Sequence, residues 1–403
     1  MTHFARPRGQ DEQRATSLEL FYDLVFVFAI TQISHHLLDH LTWTGAGQSA
    51  LLLLVVWWSW NYTTWVTNEL DPESPVVRLV MIALMLGSLM MAVAIPHAFG
   101  ADALLFVCSY LAIQIGRHTF LTFAAAQRGE PERARAGAIL AWFCFAAPFW
   151  LAGALVDGGV ARTVLWLIAL AIDYGAPLVT FRLPGRTLDP TAWTVEVSHF
   201  SERFGLFIII ALGESIVVTG ATTSELGLDG HTAVAFATAF LTSAALWWLY
   251  FTGVAKIAEL RLAHAGAGRT AMARDAYTYL HVLLVAAIVV SAVGDELVIA
   301  HPQEPLATSA MLAVVAGPAL YLIAHSLFRL RVSGTLGWRR PLGAAVSVAV
   351  GVLCGALDAE ALVVALALLV VLIAVIAGDT AAAARRRRHG QPTPLERARA
   401  ELA

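Results

Sequence analysis

The feature that most constrains this chain is a succession of long apolar stretches, each about as long as a membrane-crossing helix. The hydrocarbon core of a bilayer is about 30 Å thick and needs about 20 helical residues. The 403 residues contain twelve such stretches, and charged residues make up only 14% of the chain, against roughly 25% in soluble domains. No stretch alternates with the period of two that β-barrel strands require. The sequence therefore predicts an all-α, polytopic membrane protein.

The predicted spans and the basic residues between them define a topology. The spans are 18–40, 47–67, 76–98, 103–126, 136–156, 162–182, 199–220, 232–254, 277–299, 306–328, 340–357 and 360–378. Loops rich in Lys and Arg stay in the cytoplasm, and this arrangement leaves only Arg162 of the 26 Lys and Arg residues on the outer face. The pattern predicts a bacterial inner-membrane protein with both termini in the cytoplasm, in contact with the lipid bilayer and with no nucleic acid.

The two halves of the chain repeat the same features in the same order. The corresponding pairs are Phe21-Tyr22-Asp23 with Phe200-Ser201-Glu202, Trp57-Trp58 with Trp247-Trp248, and LAGAL at 151–155 with LCGAL at 353–357. Six spans per half is an even number, so the halves share their orientation, as in transporters with parallel repeats. The predicted divisions are a cytoplasmic tail 1–17, a first six-helix repeat 18–182, a cytoplasmic linker 183–198, a second six-helix repeat 199–378 and a basic cytoplasmic tail 379–403.

Three stretches carry a family resemblance. They are LELFYDLVFVFAITQISHHL in the first span, WWSWNYTTWVTNELDPESPVVRL after it, and EVSHFSERFGLFIIIALGESIVV in the seventh span. Together they resemble the bacterial low temperature requirement protein A (LtrA) family, with a likeness that covers roughly residues 15 to 380. The resemblance implies a multi-pass membrane protein associated by name with growth in the cold, and it implies no particular reaction.

The motifs that open the first and seventh spans are also faintly similar to the Phe-Ser-Asp signature of six-span potassium channels. The match departs at Ser17 and Glu196, where that family carries an arginine, and at Tyr22, where it carries a serine. This second resemblance implies a pathway lined by the first helix of each half.

Ionisable residues at matched depths are the candidate site residues. Asp23 and Glu202 lie near the cytoplasmic ends of the first and seventh spans, and aligning them also aligns His35 with Glu214, twelve residues further on. Such residues are costly in lipid and mark ion or proton pathways. Glu19, one turn below Asp23, is expected to contact water or an arginine. Two interpretations stay open: these groups line a cation or proton pathway, or they bind helix-end donors and arginines and hold the bundle together.

Asp173 is the best single candidate for a coordination point. It lies near the middle of the predicted sixth span, and Gly175 and Pro177 follow it closely. These two residues can end the helix and free backbone carbonyls, which is tolerated at membrane depth where protein or a water-filled cavity surrounds them. The last span contains no counterpart, so such a site would belong to one half only.

The tryptophans of the second and eighth spans lie too deep for an aromatic belt at the membrane surface. For Trp57, Trp58, Trp247 and Trp248, the first expectation is packing, and the alternative is a pathway lined by cation–π contacts. We expect no cofactor and no resident metal, because the histidines show no metal-site spacing and the connections carry no nucleotide-binding or catalytic signature. We therefore expect no enzymatic activity.

Small and basic residues complete the pattern. Gly205, Gly213 and Gly220 recur on one face of the seventh span and predict close helix packing there. The run from Arg385 to Arg388 predicts a stop-transfer anchor beside anionic lipid rather than a specific partner site.

The sequence as a whole favours a membrane protein that conducts or transports a small cation or a proton-coupled solute beside its first and seventh helices. A homodimer is a further expectation. One alternative is a membrane-embedded enzyme or lipid-handling protein, which predicts an open lateral cavity beside Asp173 and the histidines. Another is a non-transporting stress or assembly factor, in which the carboxylates are purely structural.

Overall fold

Helices form nearly all of the regular structure in the computed structural model, which describes residues 14–127, 129–185 and 195–402. The long helices are α1 Ser17–Asp39, α2 Trp43–Thr67, α3 Pro75–Val93, α4 Ala103–Ala125, α5 Glu130–Leu155, α6 Gly159–Gly175, α7 Val197–Leu226, α8 Gly230–Leu249, α11 His281–Ala300, α12 Thr308–Ser333, α13 Arg339–Ala356 and α14 Ala361–Arg388. Short helices are α9 Ala255–Ala263, α10 Arg269–Met272 and α15 Pro394–Leu402. The all-α prediction is confirmed. The predicted N-terminal tail up to residue 13 and linker residues 186–194 lie outside the described residues.

A helix occupies each predicted span, but not every helix has the length and composition of a membrane span. Nine helical stretches of the described chain are long and apolar enough to cross a membrane, while α2, α6 and α13 do not qualify. The helix α2 carries many polar side chains. The helix α6 has only 17 residues, and α13 has 18 residues and begins with two arginines. The count of twelve spans therefore stays a prediction.

The chain divides into two compact units. The first contains the described residues up to 36 together with 47–200, and the second contains 37–46 together with the described residues from 201 onward. Within the first unit α4 packs against α3 and α5, and α5 packs against α6. Within the second unit α12 packs against α11 and α13, and α14 packs against α13 and α8. The order of neighbours is thus similar in both units, while the proposed repeat and its boundaries stay a prediction.

Apolar side chains cover the outside and polar side chains lie inside, which is the pattern of a protein surrounded by lipid. Leu24, Phe123 and Val370 are at least 60% exposed. Arg117 and Asp23, by contrast, are at most 1% exposed. Because an apolar outer surface is stable only in an apolar surrounding, the structure describes an integral membrane protein in contact with the bilayer.

The C-terminal ends of α6 and α14 lie next to two groups of polar residues. The helix α6 ends at Gly175, as the glycine and Pro177 predicted, and the chain continues in turns in which Thr180 and Phe181 adopt positive φ angles of 52° and 53°. At the other end of the chain, α14 continues well past the predicted limit of 378, to Arg388, and α15 packs against α9. The basic C-terminal segment is therefore helical and folded back onto the second unit.

Candidate functional site

One face of α4 carries a stripe of polar side chains inside the first unit. Tyr110, Gln114, Arg117 and His118 recur at helical spacing, so they share a face of the helix. All four are buried, with at most 1% of their surface exposed. An otherwise apolar helix thus presents a hydroxyl, an amide, a guanidinium and an imidazole to the interior of its unit.

Arg117 joins this stripe to α2. One of its terminal nitrogens donates hydrogen bonds to the carbonyl oxygen of Ser59, at 3.0 Å, and to the hydroxyl of Thr63, at 2.9 Å. The other terminal nitrogen contacts the Gln114 amide oxygen. The Thr63 hydroxyl is in turn 2.8 Å from the hydroxyl of Tyr22 on α1. A chain of hydrogen bonds therefore links α1, α2 and α4.

Asp23 lies beside this chain and is fully buried. The indole nitrogen of Trp60 donates to its Oδ1 at 2.7 Å. One turn earlier, Glu19 is also fully buried: its Oε1 is 2.7 Å from Nε2 of His199, and its Oε2 accepts from the backbone and side chain of Thr16, both at 2.9 Å. The expected contact of Glu19 with water is wrong, because the first turn of α1 packs against His199 in the first turn of α7. The alternative, a contact with an arginine, stays a prediction.

Asp173 occupies the other end of the α4 stripe. Its Oδ2 accepts hydrogen bonds from the hydroxyl of Tyr110, at 2.7 Å, and from the indole nitrogen of Trp150, at 3.0 Å. Its Oδ1 is buried and has no hydrogen-bond partner among the described residues. Asp173 lies in the last turn of α6 rather than in the middle of a longer helix, because the helix ends two residues later.

The end of α6 lies beside the middle of α2. The hydroxyl of Tyr174 donates to the carbonyl of Leu54 at 2.8 Å, and its ring stacks on Trp58 with centroids 3.8 Å apart. Trp57 and Trp58 are both buried, and Trp57 packs against Trp60, the residue that holds Asp23. These tryptophans form the packing shell of the polar interior.

The matched residues of the two halves differ in their surroundings. Asp23 is buried and Glu202 is exposed; Glu214 is buried and His35 is exposed. In each exposed case the neighbouring residue is the buried one, namely His36 at 6% and Arg203 at 0% exposure. Adjacent residues point about 100° apart on a helix, so aligning the two halves does not determine which face of its helix each group occupies. Their pairing across the halves stays a prediction.

The second tryptophan pair and the α7 glycines also differ from expectation. Trp247 and Trp248 are 42% and 49% exposed, so they do not pack inside the second unit as Trp57 and Trp58 pack inside the first. A Cβ added at Gly213 or Gly220 would meet no described atom within 4 Å. The predicted packing surface on α7 is therefore wrong at these two glycines, and the close helix contacts lie elsewhere.

A histidine–tyrosine cluster in the second unit went unpredicted. Nδ1 of His281 is 3.0 Å from the carbonyl of Ala276, and its Nε2 is 2.7 Å from the hydroxyl of Tyr250. Because a carbonyl only accepts, Nδ1 carries the proton and Nε2 accepts from the tyrosine. The π-helical segments Tyr250–Val254 and Ala273–Leu280 supply these groups, and such segments often occur at functional sites. Each ring nitrogen of His281 has a hydrogen-bond partner, so the role that this cluster fits best is to hold the helices of the second unit together.

The residues of the described chain contain no group of three or more His, Cys, Asp or Glu that could hold a metal ion. The polar interior of the first unit instead contains Asp23, which accepts a hydrogen bond from Trp60, Asp173, which accepts from Tyr110 and Trp150, and the guanidinium of Arg117. Such an arrangement can bind and pass on protons or hold a small polar solute, because it combines hydrogen-bond donors, acceptors and two separated carboxylates.

These features define the class first: an all-α, multi-pass integral membrane protein whose helices bury ionisable side chains. The sequence model of the family described as bacterial low temperature requirement A protein (LtrA) matches residues 14–377. The chain therefore belongs to the LtrA family, as the motifs of its first and seventh spans predicted. An uncharacterized protein of Rhizobium meliloti (strain 1021) is 36% identical over 335 residues, which cover 82% of this chain and 81% of that protein. A comparison with solved structures found no match.

Proposed function

We propose that this LtrA-family protein is a transporter of the inner membrane, with both termini in the cytoplasm, and that the polar interior of its first unit carries the transport site. The observation that supports this most is the buried stripe of α4, in which Arg117 donates hydrogen bonds to Ser59 and Thr63 on α2 and Tyr110 donates one to Asp173 on α6. The family's name links the protein to growth in the cold. A homodimer stays a prediction.

The cost of burial supports a functional role for these groups. Removing a charge from water costs several kcal/mol even after the protein relaxes around it, and well-packed apolar residues often stabilise a protein as well as a buried ion pair does. Ionisable residues inside a membrane protein are for this reason functional-site candidates by default. The first unit buries Arg117, Asp23 and Asp173 together, which simple packing does not require.

The charges favour a proton-coupled solute over a freely conducted cation. Arg117 places a fixed positive charge in the interior, and such a charge is a barrier to cations in a pore. Asp23 and Asp173 can each take up and release a proton, and Oδ1 of Asp173 is a buried carboxylate oxygen that has no hydrogen-bond partner among the described residues. The transported solute would then be held by the guanidinium and amide while protons move on the carboxylates.

The enzyme alternative predicts an open lateral cavity beside Asp173. Asp173 is instead 2% exposed and enclosed by Tyr110 and Trp150, which favours the transport proposal. In the stress-factor alternative the carboxylates only stabilise the fold, and measurement of flux separates this alternative from transport.

Flux through the purified protein in liposomes tests the proposal. Proton, K⁺ and Na⁺ movement would be followed with entrapped dyes, in the presence and absence of a panel of small polar solutes. We expect solute-dependent proton uptake, and we expect Asp173→Asn to reduce it at least about tenfold, since a barrier increase of only 1.4 kcal/mol has that effect. Asp23→Asn is expected to act in the same direction.

Asp229→Asn is the matched control. Asp229 caps α8 by accepting from the backbone N–H of Thr232 at 2.7 Å, and this hydrogen bond lowers the pKa of its carboxyl. Asn caps helices about as well as Asp, so this variant loses one carboxylate far along the chain from the polar interior and should keep full flux. The transport proposal fails if no ion or solute moves, or if a stably folded Asp173→Asn variant transports at the wild-type rate.

A further inference from the structure

A large pocket lies at the basic end of the second unit. It encloses about 1130 Å³ between the end of α8, the helix α9, the connection from α12 to α13, the end of α14 and the C-terminal helix α15. The predicted topology assigns this end of the helices to the cytoplasm. The pocket is far from the α4 stripe in sequence and belongs to a different unit.

Arginines dominate the lining of this pocket. Eight arginines line it, together with only two carboxylates, Asp379 and Glu401. Asp379 pairs with Arg340 at 2.8 Å, and Glu401 pairs with Arg261 at 2.5 Å. Within the described residues, Arg329 and Arg386 have no carboxylate partner. The pocket therefore carries a clear excess of positive charge.

Two of the arginines that line the pocket also have buried nitrogens without a hydrogen-bond acceptor among the described residues. Arg340 is 7% exposed, and its Nε has no hydrogen-bond partner among the described residues. The Nε of Arg261 is likewise buried and without such a partner. Buried donors of this kind are rare unless an acceptor reaches them, and planar guanidinium groups match the oxygens of a phosphate well.

Apolar and aromatic groups share the pocket with the arginines. Trp248 and Trp338 line it and are 49% and 66% exposed, and Ile257 and Leu395 also face it. Trp338 lies directly before α13, at the predicted membrane surface, and tryptophan prefers this level of the lipid headgroups. Basic pockets between transmembrane helices bind anionic headgroups. A ligand with one phosphate and apolar chains matches both parts of this lining.

We propose that this pocket binds an anionic phospholipid, with its headgroup phosphate held by Arg329, Arg340 and Arg386 and its chains directed along the apolar lining. The run from Arg385 to Arg388 is then more than an anchor beside lipid, because its first three members line the same pocket as arginines from α9, α12 and α13. The proposal is independent of what the first unit transports.

Native mass spectrometry of the full chain in detergent tests the proposal with defined lipids. Dioleoyl phosphatidylglycerol would be titrated against dioleoyl phosphatidylcholine, and inorganic phosphate would be added as a competitor. We expect the anionic lipid to bind more tightly than the zwitterionic one and to resist millimolar phosphate. Arg329→Gln/Arg386→Gln should weaken it about thirtyfold, from the loss of two arginines near a phosphate.

The matched control is Arg388→Gln/Arg399→Gln, which removes the same charge from α14 and α15 at exposed positions outside the pocket lining. It should bind the anionic lipid as the wild type does. If the pocket double variant fails to fold, Arg386→Gln alone should still weaken binding about fivefold. The proposal is overturned if the two lipids bind equally, or if the control loses as much affinity as the pocket variant. Displacement of the lipid by inorganic phosphate would also overturn it, since a free anion would then be the ligand.

Discussion

At the scale of single residues, Arg162 shows how one buried cation can organise the end of a helix bundle. It is 6% exposed and donates to the carbonyls of Gly153 at 3.1 Å, Val156 at 3.0 Å and Gly100 at 3.4 Å, as well as to that of Phe99. It therefore joins the end of α5 to the connection between α3 and α4. Arg162 is also the one basic residue that the predicted topology leaves on the outer face, and its bonds to backbone carbonyls supply a structural reason for its presence there.

Replacing Arg162 should destabilise the first unit. Arg162→Met keeps much of the side-chain volume but leaves several carbonyls without donors, so we expect the free energy of unfolding to fall by roughly 2–4 kcal/mol. Denaturant unfolding in detergent would measure this. Arg78→Gln is the matched control, because Arg78 is a half-exposed arginine paired with exposed Glu73; its loss should cost less than about 1 kcal/mol. Equal losses in the two variants would contradict the role assigned to Arg162.

At the scale of helices, α11 and α12 approach each other closely in the second unit. A Cβ added at Gly317 would lie 2.7 Å from the Cα of Ser291, and one added at Gly294 would lie 2.9 Å from the Cα of Val314. The two glycines thus face each other's helix, and the obstructing atoms belong to the backbone, which cannot rotate away. Small residues at such crossings let membrane helices pack closely.

This contact predicts that Gly317→Ala destabilises the second unit by about 1–3 kcal/mol, the usual cost of overpacking. Thermal unfolding in detergent would measure the change. Gly213→Ala is the control, because Gly213 lies inside α7 and an added Cβ there meets no described atom within 4 Å. Since alanine favours helix more than glycine does, the control should be neutral or slightly stabilising. A Gly317→Ala variant as stable as the control would refute the close contact.

At the scale of the whole molecule, the positions of the helices could be predicted from the sequence, but the faces that they turn inward could not. Long apolar stretches fix the place of each helix because the bilayer requires them. In lipid, however, the outer face is as apolar as the inner one, so hydrophobicity does not distinguish them. His35 and His36 illustrate the consequence: they are neighbours in sequence, and only the second is buried.

The candidate site was partly visible in the sequence. Asp23 and Asp173 stand out because carboxylates are rare in spans. The stripe of α4 could also have been found in the sequence, since Tyr110, Gln114 and Arg117 recur at helical spacing in an apolar stretch. Each of these residues, taken singly, resembles an isolated polar residue in a span. The contacts of Arg117 with Ser59 and Thr63 depend on how α2 and α4 pack, and no local pattern in the sequence specifies that packing.

The central claim is that the polar interior of the first unit opens to solutes during transport, and cysteine accessibility at Ser59 tests it most directly. Ser59 on α2 is fully buried, and its backbone carbonyl accepts a hydrogen bond from Arg117. In a chain whose three natural cysteines, Cys108, Cys144 and Cys354, are changed to alanine, Ser59→Cys would be treated with a small, charged, membrane-impermeant thiol reagent.

Ala146→Cys provides the comparison, because Ala146 on α5 is equally buried and its methyl side chain takes no part in the hydrogen bonds of the polar interior. We predict that Ser59→Cys reacts much faster than Ala146→Cys in proteoliposomes and that a transported solute slows its reaction. Equal, negligible labelling of the two positions under transport conditions would contradict the claim and leave the polar interior a purely structural feature.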